Sequence, residues 1–188
     1  MKTTVFDLGI LVLVSIVSIV AFLLLNEAFI EMITSWGWRE RAVEINTDGF
    51  WRYLLALFLF GVLPAVIEEL VFRGLLLKLF LRFGAIFAIV GSSVLFSVYH
   101  LNFAQTLYQF ILGVVLACVV IRTGRLWYAI VLHFLNNFIV ITYIYVTDGA
   151  VHSTNWGGLQ IFIALFLASV GTLVIVELIK MLNVKEKT

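Results

Sequence analysis

Long apolar runs separated by short polar stretches organise the chain. They cover about residues 8–25, 51–82, 84–101, 107–121, 126–146 and 159–182. A helix rises 1.5 Å per residue and a bilayer core is about 30 Å thick, so runs of this kind predict membrane-spanning helices. The expected fold is an all-α polytopic membrane helix bundle of about six transmembrane helices. The first run is longer than a secretory signal core and ends in Leu24-Leu25-Asn26-Glu27 rather than in small residues, so it is taken as an uncleaved span. Residues 26–50 mix Glu27, Glu31, Arg39, Glu40, Arg41, Glu44 and Asp48 with Trp36 and Trp38, which predicts an amphipathic or irregular segment at the interface. Pro64 predicts a kink or local opening in the second span, freeing the carbonyl of Phe60. Gly91, Ser92, Ser93 and Ser97, then Gly113 and Ala117, predict close helix approach in the third and fourth. Residues 147–158 form a polar, glycine-bearing loop.

Composition agrees with the pattern. Hydrophobic residues make up 63% of the 188 and charged residues 12%, against about a quarter charged in soluble domains. Repeated spans with short loops leave one integral membrane domain over 1–188. A net charge of +1 without a basic patch argues against nucleic acid as a partner. Cys118, the single cysteine, has no partner for an internal disulfide and reads as a small buried hydrophobe. In a six-span arrangement Lys2, Lys78, Arg82, Arg122, Arg125, Lys180, Lys185 and Lys187 fall on one side and Arg39, Arg41 and Arg52 on the other. The positive-inside rule then puts both termini in the cytoplasm. Trp36, Trp38, Trp51, Trp127 and Trp156 all lie near span ends, where aromatic belts form.

Against this background the charged residues inside the second run stand out. Glu68, Glu69 and Arg73 lie where ionisable groups are costly and normally functional. On a helix Glu69 and Arg73 stand at i and i+4 with the acid N-terminal, the favourable order for an ion pair. Glu68 is turned by about 100° and is free to be the working carboxylate. His100 and His133 are also embedded in apolar helix, and Asn137 shares a face with His133 while Asn136 points elsewhere. Costly polar groups on three helices must find one another or water, so they are expected to converge. Counted from the cytoplasmic ends at 1.5 Å per residue, however, Glu68 and His100 lie about 20 Å deep and His133 about 10 Å.

A carboxylate, two imidazoles and an amide can activate a water and stabilise an oxyanion, as amide hydrolysis requires. Glu68 would take the water's proton, His100 would hold the water, and His133 with Asn137 would donate to the oxyanion. The same Glu68, His100 and His133 could instead hold zinc with an open fourth position. The metal-free arrangement is preferred because the histidines come from different helices, His100 has no nearby acid to orient it, and Glu69 is committed to Arg73. Ser92, Ser93 and Ser97 read as packing residues, with no nucleophile turn around them. His152 belongs to an exterior loop.

These residues resemble the CAAX prenyl protease type II and bacteriocin-processing group of intramembrane proteases, also called Rce1-like or Abi proteins. Its three signatures stand here in order as Glu68-Glu69-Leu-Val-Phe-Arg73, Phe96-Ser-Val-Tyr-His100 and His133-Phe-Leu-Asn-Asn137. Phe72-Arg73-Gly74, Gly113 and Thr123-Gly124 also look like the family pattern, and the resemblance covers about 55–139. It implies an endopeptidase with a membrane cavity as its site. The implied catalytic set is Glu68, His100, His133 and Asn137, supported by Glu69 and Arg73. The family has been described both as metalloproteases and as glutamate peptidases, so the resemblance implies no fixed cofactor. It implies a peptide or a prenylated or lipidated protein as substrate, and a bacterial plasma membrane as the favoured setting, with peptide processing or bacteriocin immunity as the role. Two alternatives from other classes remain: a non-proteolytic binding, immunity or scaffold protein, and an ion- or proton-coupled transporter, which the lack of repeat symmetry disfavours.

Overall fold

A computed structural model describes residues 5–38, 49–147 and 158–184. Arg39, Arg41, His152, Trp156 and the terminal lysines Lys2, Lys185 and Lys187 lie outside the described residues. Among the described residues six helices follow one another: α1 Val5–Ser35, α2 Phe50–Phe83, α3 Ala85–Tyr99, α4 Thr106–Thr123, α5 Leu126–Thr147 and α6 Gly158–Met181. A single 3-10 turn, Phe103–Gln105, leads into α4. This is the expected polytopic helix bundle, with no strand among the described residues.

Two expectations need correction. The polar segment after residue 25 does not leave the helix at once: α1 continues through Asn26 and Glu27 to Ser35. Asn26 keeps its place in the helix because its side chain is used, its Oδ1 accepting the backbone N–H of Tyr108 at 3.2 Å. The third run also falls short of a span. α3 has 15 residues, about 22 Å of rise against a core of about 30 Å. Among the described residues five helices are long and apolar enough to cross a membrane, and α3 is the shorter apolar one. His100 caps the C-terminal turn of this short helix.

α2 is the element that positions the site. Its α-helical segment Leu63–Glu69 is bracketed by π-helical turns at Leu57–Val62 and Leu70–Leu76, an irregularity that recurs at functional sites. Pro64 accounts for the first turn, since it has no N–H to give the Phe60 carbonyl one turn earlier. Asn137 Nδ2 donates to that carbonyl at 3.3 Å. The expected opening is present, and a side chain from α5 closes it.

α2 and α5 run antiparallel along their lengths. Tyr53 hydrogen-bonds Thr142 at 2.9 Å, Glu69 meets His133 at 3.0 Å, and a Cβ placed on Gly74 would lie 3.4 Å from Leu126 Cδ2. The start of α5 is thus level with Gly74, and the remaining residues of α2 run on past it. That offset removes the depth conflict: His133 is shallow counted along α5, Glu68 is deep counted along α2, and the two still meet.

The core lies among α1, α4, α5 and α6, with Leu11, Leu116 and Leu132 buried in it. α1 runs along α6, where Ala21 faces Gly171 so closely that the glycine leaves no room for a side chain. At the end of the bundle where α1 and α5 begin, Asp7 gathers three elements. Its Oδ2 accepts from the Tyr128 hydroxyl at 2.6 Å and its Oδ1 from Asn183 Nδ2 at 2.8 Å, while Arg125 Nη1 donates to the Tyr128 hydroxyl at 2.7 Å.

Candidate active site

Glu68, on α2, directs its Oε2 between two imidazoles. His100 Nε2 and His133 Nε2 each lie 3.9 Å from that oxygen, beyond direct hydrogen bonding. The oxygen is buried and has no hydrogen-bond partner. Glu68 and His100 remain slightly open, at 12% and 18% side-chain exposure, while His133 is closed off at 2%. The three groups thus surround one point without bonding one another directly, and the two imidazoles face the same carboxylate oxygen.

Glu69 faces the other way and is fully buried. Its Oε1 accepts from Arg73 Nη1, as the i, i+4 spacing predicts, and also from His133 Nδ1 at 3.0 Å. The acid is therefore shared between a cation and an imidazole rather than committed to Arg73 alone. Arg73 Nη2 donates to the Gly113 carbonyl at 3.1 Å, and its guanidinium sits 4.3 Å from the centre of the Phe96 ring. Phe96 also packs edge-on against both imidazoles, at 4.9 Å from His100 and 5.6 Å from His133. Its carbonyl lies 2.9 Å from His100 Nδ1. One residue thus fixes a ring orientation through its backbone and backs the site with its own ring.

These contacts fix the tautomers. A carbonyl can only accept, so His100 Nδ1 carries a proton and a neutral His100 presents a bare Nε2 to the site. His133 Nδ1 donates to Glu69 by the same logic, so His133 offers a second donor at Nε2 only as the imidazolium.

Asn137 shares a face with His133 as expected, but its donor is the one that holds the Phe60 carbonyl. Asn136 does point elsewhere: it is buried and accepts the Tyr108 hydroxyl from α4. Ser92 and Ser93 bond the Ile89 carbonyl of their own helix and Ser97 the carbonyl of Thr106, consistent with packing roles. The acceptor role of the Gly113 carbonyl was not legible in sequence, since a backbone oxygen carries no residue signal. The buried Asn136 and Tyr108 were legible only as polar residues at depth.

Zinc would need its ligand atoms about 3.3–3.4 Å apart, given bonds of about 2.0–2.1 Å in a tetrahedral shell. Both Nε2–Oε2 separations are wider, and among the described residues no group of three or more His, Cys, Asp or Glu closes to metal-holding geometry. The inner donors as they stand do not fit the ion. The outer contacts are of the kind a metal shell uses, because each Nδ1 already has an acceptor. Hence the sequence arguments that His100 lacks an orienting acceptor and that Glu69 is spent on Arg73 do not hold.

No curated protein and no solved structure is matched by this chain. The family model described as "Type II CAAX prenyl endopeptidase Rce1-like" matches residues 50–139, a stretch that runs from the start of α2 into α5 and includes every side chain of the site. Residues 50–139 thus carry an Rce1-like domain, built on that helical core.

Proposed function

We propose that this protein is an intramembrane endopeptidase in which Glu68 activates the attacking water without a resident metal. The observation that carries the proposal is the Glu68 Oε2 atom, buried, unpartnered and equidistant from the two Nε2 atoms. A water there can give one hydrogen to Glu68 and the other to the bare Nε2 of His100, which leaves a lone pair for a peptide carbonyl. As the water attacks, its proton passes to Glu68 and the carbonyl oxygen becomes an oxyanion. His133, as the imidazolium buttressed by Glu69, donates from Nε2 to that oxyanion. Glu68 then returns the proton to the leaving amine. Asn137 supports the oxyanion side by holding the opened turn of α2 at Phe60, and Arg73 holds Glu69 in place.

The substrate proposed is a membrane-associated or lipidated peptide or protein. The Rce1-like domain favours this class, and so does the setting of the site, whose flank along α2 exposes Ile67, Leu70 and Val71 to the acyl chains. The lysine and arginine distribution favours a cytoplasmic side for both termini, and a bacterial plasma membrane is the proposed setting. The test is cleavage, in detergent and in proteoliposomes, of a peptide set by wild type and Glu68→Gln, with products read by mass spectrometry. Turnover by wild type and none by Glu68→Gln, at equal thermal stability, is expected. Equal cleavage by both would remove Glu68 from the mechanism.

A further inference from the structure

Among the described residues, four of the buried polar atoms without a hydrogen-bond partner are Glu68 Oε2, Glu69 Oε2, Arg73 Nε and Gln109 Oε1. The first three belong to the site above. Gln109 is absorbed neither by the three motifs nor by the mechanism, yet the helix register puts it beside them.

It stands in the first turn of α4, one turn before Gly113 and on the same face. That face is turned to α2 and α3. The Gly113 carbonyl receives Arg73, and a Cβ at Gly113 would lie 3.0 Å from Ser93 Cβ. Thr106, on the other side of Gln109, gives its carbonyl to Ser97 at 2.7 Å. With Ser93 opposite Gly113 and Ser97 opposite Thr106, the antiparallel register sets Gln109 against the stretch of α3 around Ser97, next to Phe96 and one turn from His100. The neighbouring Tyr108, rotated toward α5, hydrogen-bonds Asn136, which lies one turn beyond His133. Side chains in a helix lean toward its N-terminus, and here that direction is the turn bearing His100.

A buried glutamine carbonyl oxygen left without a partner in such a place is costly unless a ligand completes it. Packing alone would favour leucine or methionine. We infer that Gln109 contacts substrate: its carboxamide, donor and acceptor together, pairs with a main-chain peptide group of the segment bound beside Glu68. The chemistry selects a main chain rather than a particular side chain, since a peptide's N–H and C=O match both halves of the amide. It also adds an acceptor and a donor to those of Asn137, which uses one of its two N–H groups on the Phe60 carbonyl. This inference rests on the reading of the site as one that takes a peptide.

The test compares wild type, Glu68→Gln and Gln109→Leu with two probes, a farnesylated peptide with three residues after its cysteine and the same peptide without the farnesyl group. Cleavage, equilibrium binding and thermal unfolding in detergent are all measured. Gln109→Leu is expected to keep the unfolding temperature, because it removes an unpaired polar group. It should lower kcat/KM by about 10–100-fold, chiefly through KM. Gln109→Met serves as the second variant should leucine's branch disturb packing.

Cleavage by wild type with unchanged KM in a folded Gln109 variant would overturn the inference while leaving the Glu68 mechanism standing. If wild type binds a probe but does not cleave it, the endopeptidase proposal falls and binding decides: weaker binding by the Gln109 variant supports the contact, and equal binding overturns it. A loss of unfolding temperature in both Gln109 variants would assign the residue to structure, and no binding of either probe by wild type would overturn both proposals.

Discussion

His133 Nδ1 lies 3.0 Å from Glu69 Oε1, the same oxygen that receives Arg73, so one buried carboxylate couples the buried cation to an imidazole that faces Glu68. The division between a working Glu68 and a supporting Glu69 is therefore not a division between catalysis and folding. Glu69→Gln is expected to cost about 3–5 kcal/mol, because it leaves Arg73 buried without its counter-charge. It should also lower kcat, since His133 loses the acceptor that sets its orientation. Thermal unfolding in detergent and steady-state cleavage together check this. A Glu69→Gln variant as stable as wild type would show that Arg73 is held by Gly113 and Phe96 alone.

Gly113 is the second point at which the supporting shell is vulnerable. A methyl group there would lie 3.0 Å from Ser93 Cβ and 3.2 Å from Arg73 Nη2. Helices α3 and α4 would have to part, and Arg73 would be pushed off the Gly113 carbonyl. Gly113→Ala should destabilise by about 1–3 kcal/mol, as overpacking does. The Ser93 Cβ is the nearest contact, with its Cα at 3.1 Å behind it, so Ser93→Gly combined with Gly113→Ala should recover part of the loss. Unfolding temperatures of the single and double variants read this directly.

Much of the fold and of the site follows from the chain itself, and the failures have identifiable causes. The apolar runs give the helices to within a few residues because lipid demands long, uninterrupted hydrogen-bonded elements. α1 overran its expected end since Asn26 and Glu27 look like a boundary in sequence, whereas Asn26 is consumed by the backbone of Tyr108. The i, i+4 rule found the Glu69–Arg73 pair, and the missing N–H of Pro64 found the Phe60 carbonyl. Neither rule could find the Glu69–His133 contact or the acceptor role of Gly113. Those depend on how far α2 runs past the start of α5, a tertiary offset that no local spacing records.

Tyr128 offers a control that separates stability from chemistry. Its hydroxyl joins Asp7 of α1 to Arg125 at the start of α5, and it is fully buried. Tyr128→Phe leaves Asp7 one donor short in a buried setting, which is expected to cost about 1–3 kcal/mol. The cluster lies more than a helical turn from His133, so kcat should stay close to wild type at temperatures where the variant is folded. A drop in kcat without a drop in unfolding temperature would mean that the clasp at this end of the bundle is transmitted to the site.

The metal question can be decided by one series on a single preparation. The inner donors stand 3.9 Å apart from the Glu68 oxygen, too wide for a closed zinc shell, and each Nδ1 is already anchored. Rings anchored in that way resist the closer approach that an ion would impose. The metal-free mechanism therefore predicts that the purified active protein contains no stoichiometric zinc, that a strong chelator leaves turnover unchanged, and that added zinc does not raise it. Anchored imidazoles are equally what a metal site needs in its outer contacts, which makes the opposite result informative. Stoichiometric zinc whose removal and return switch activity off and on would overturn the water-only mechanism. It would then assign Glu68, His100 and His133 as ligands, drawn inward by several tenths of an ångström from the positions they hold here.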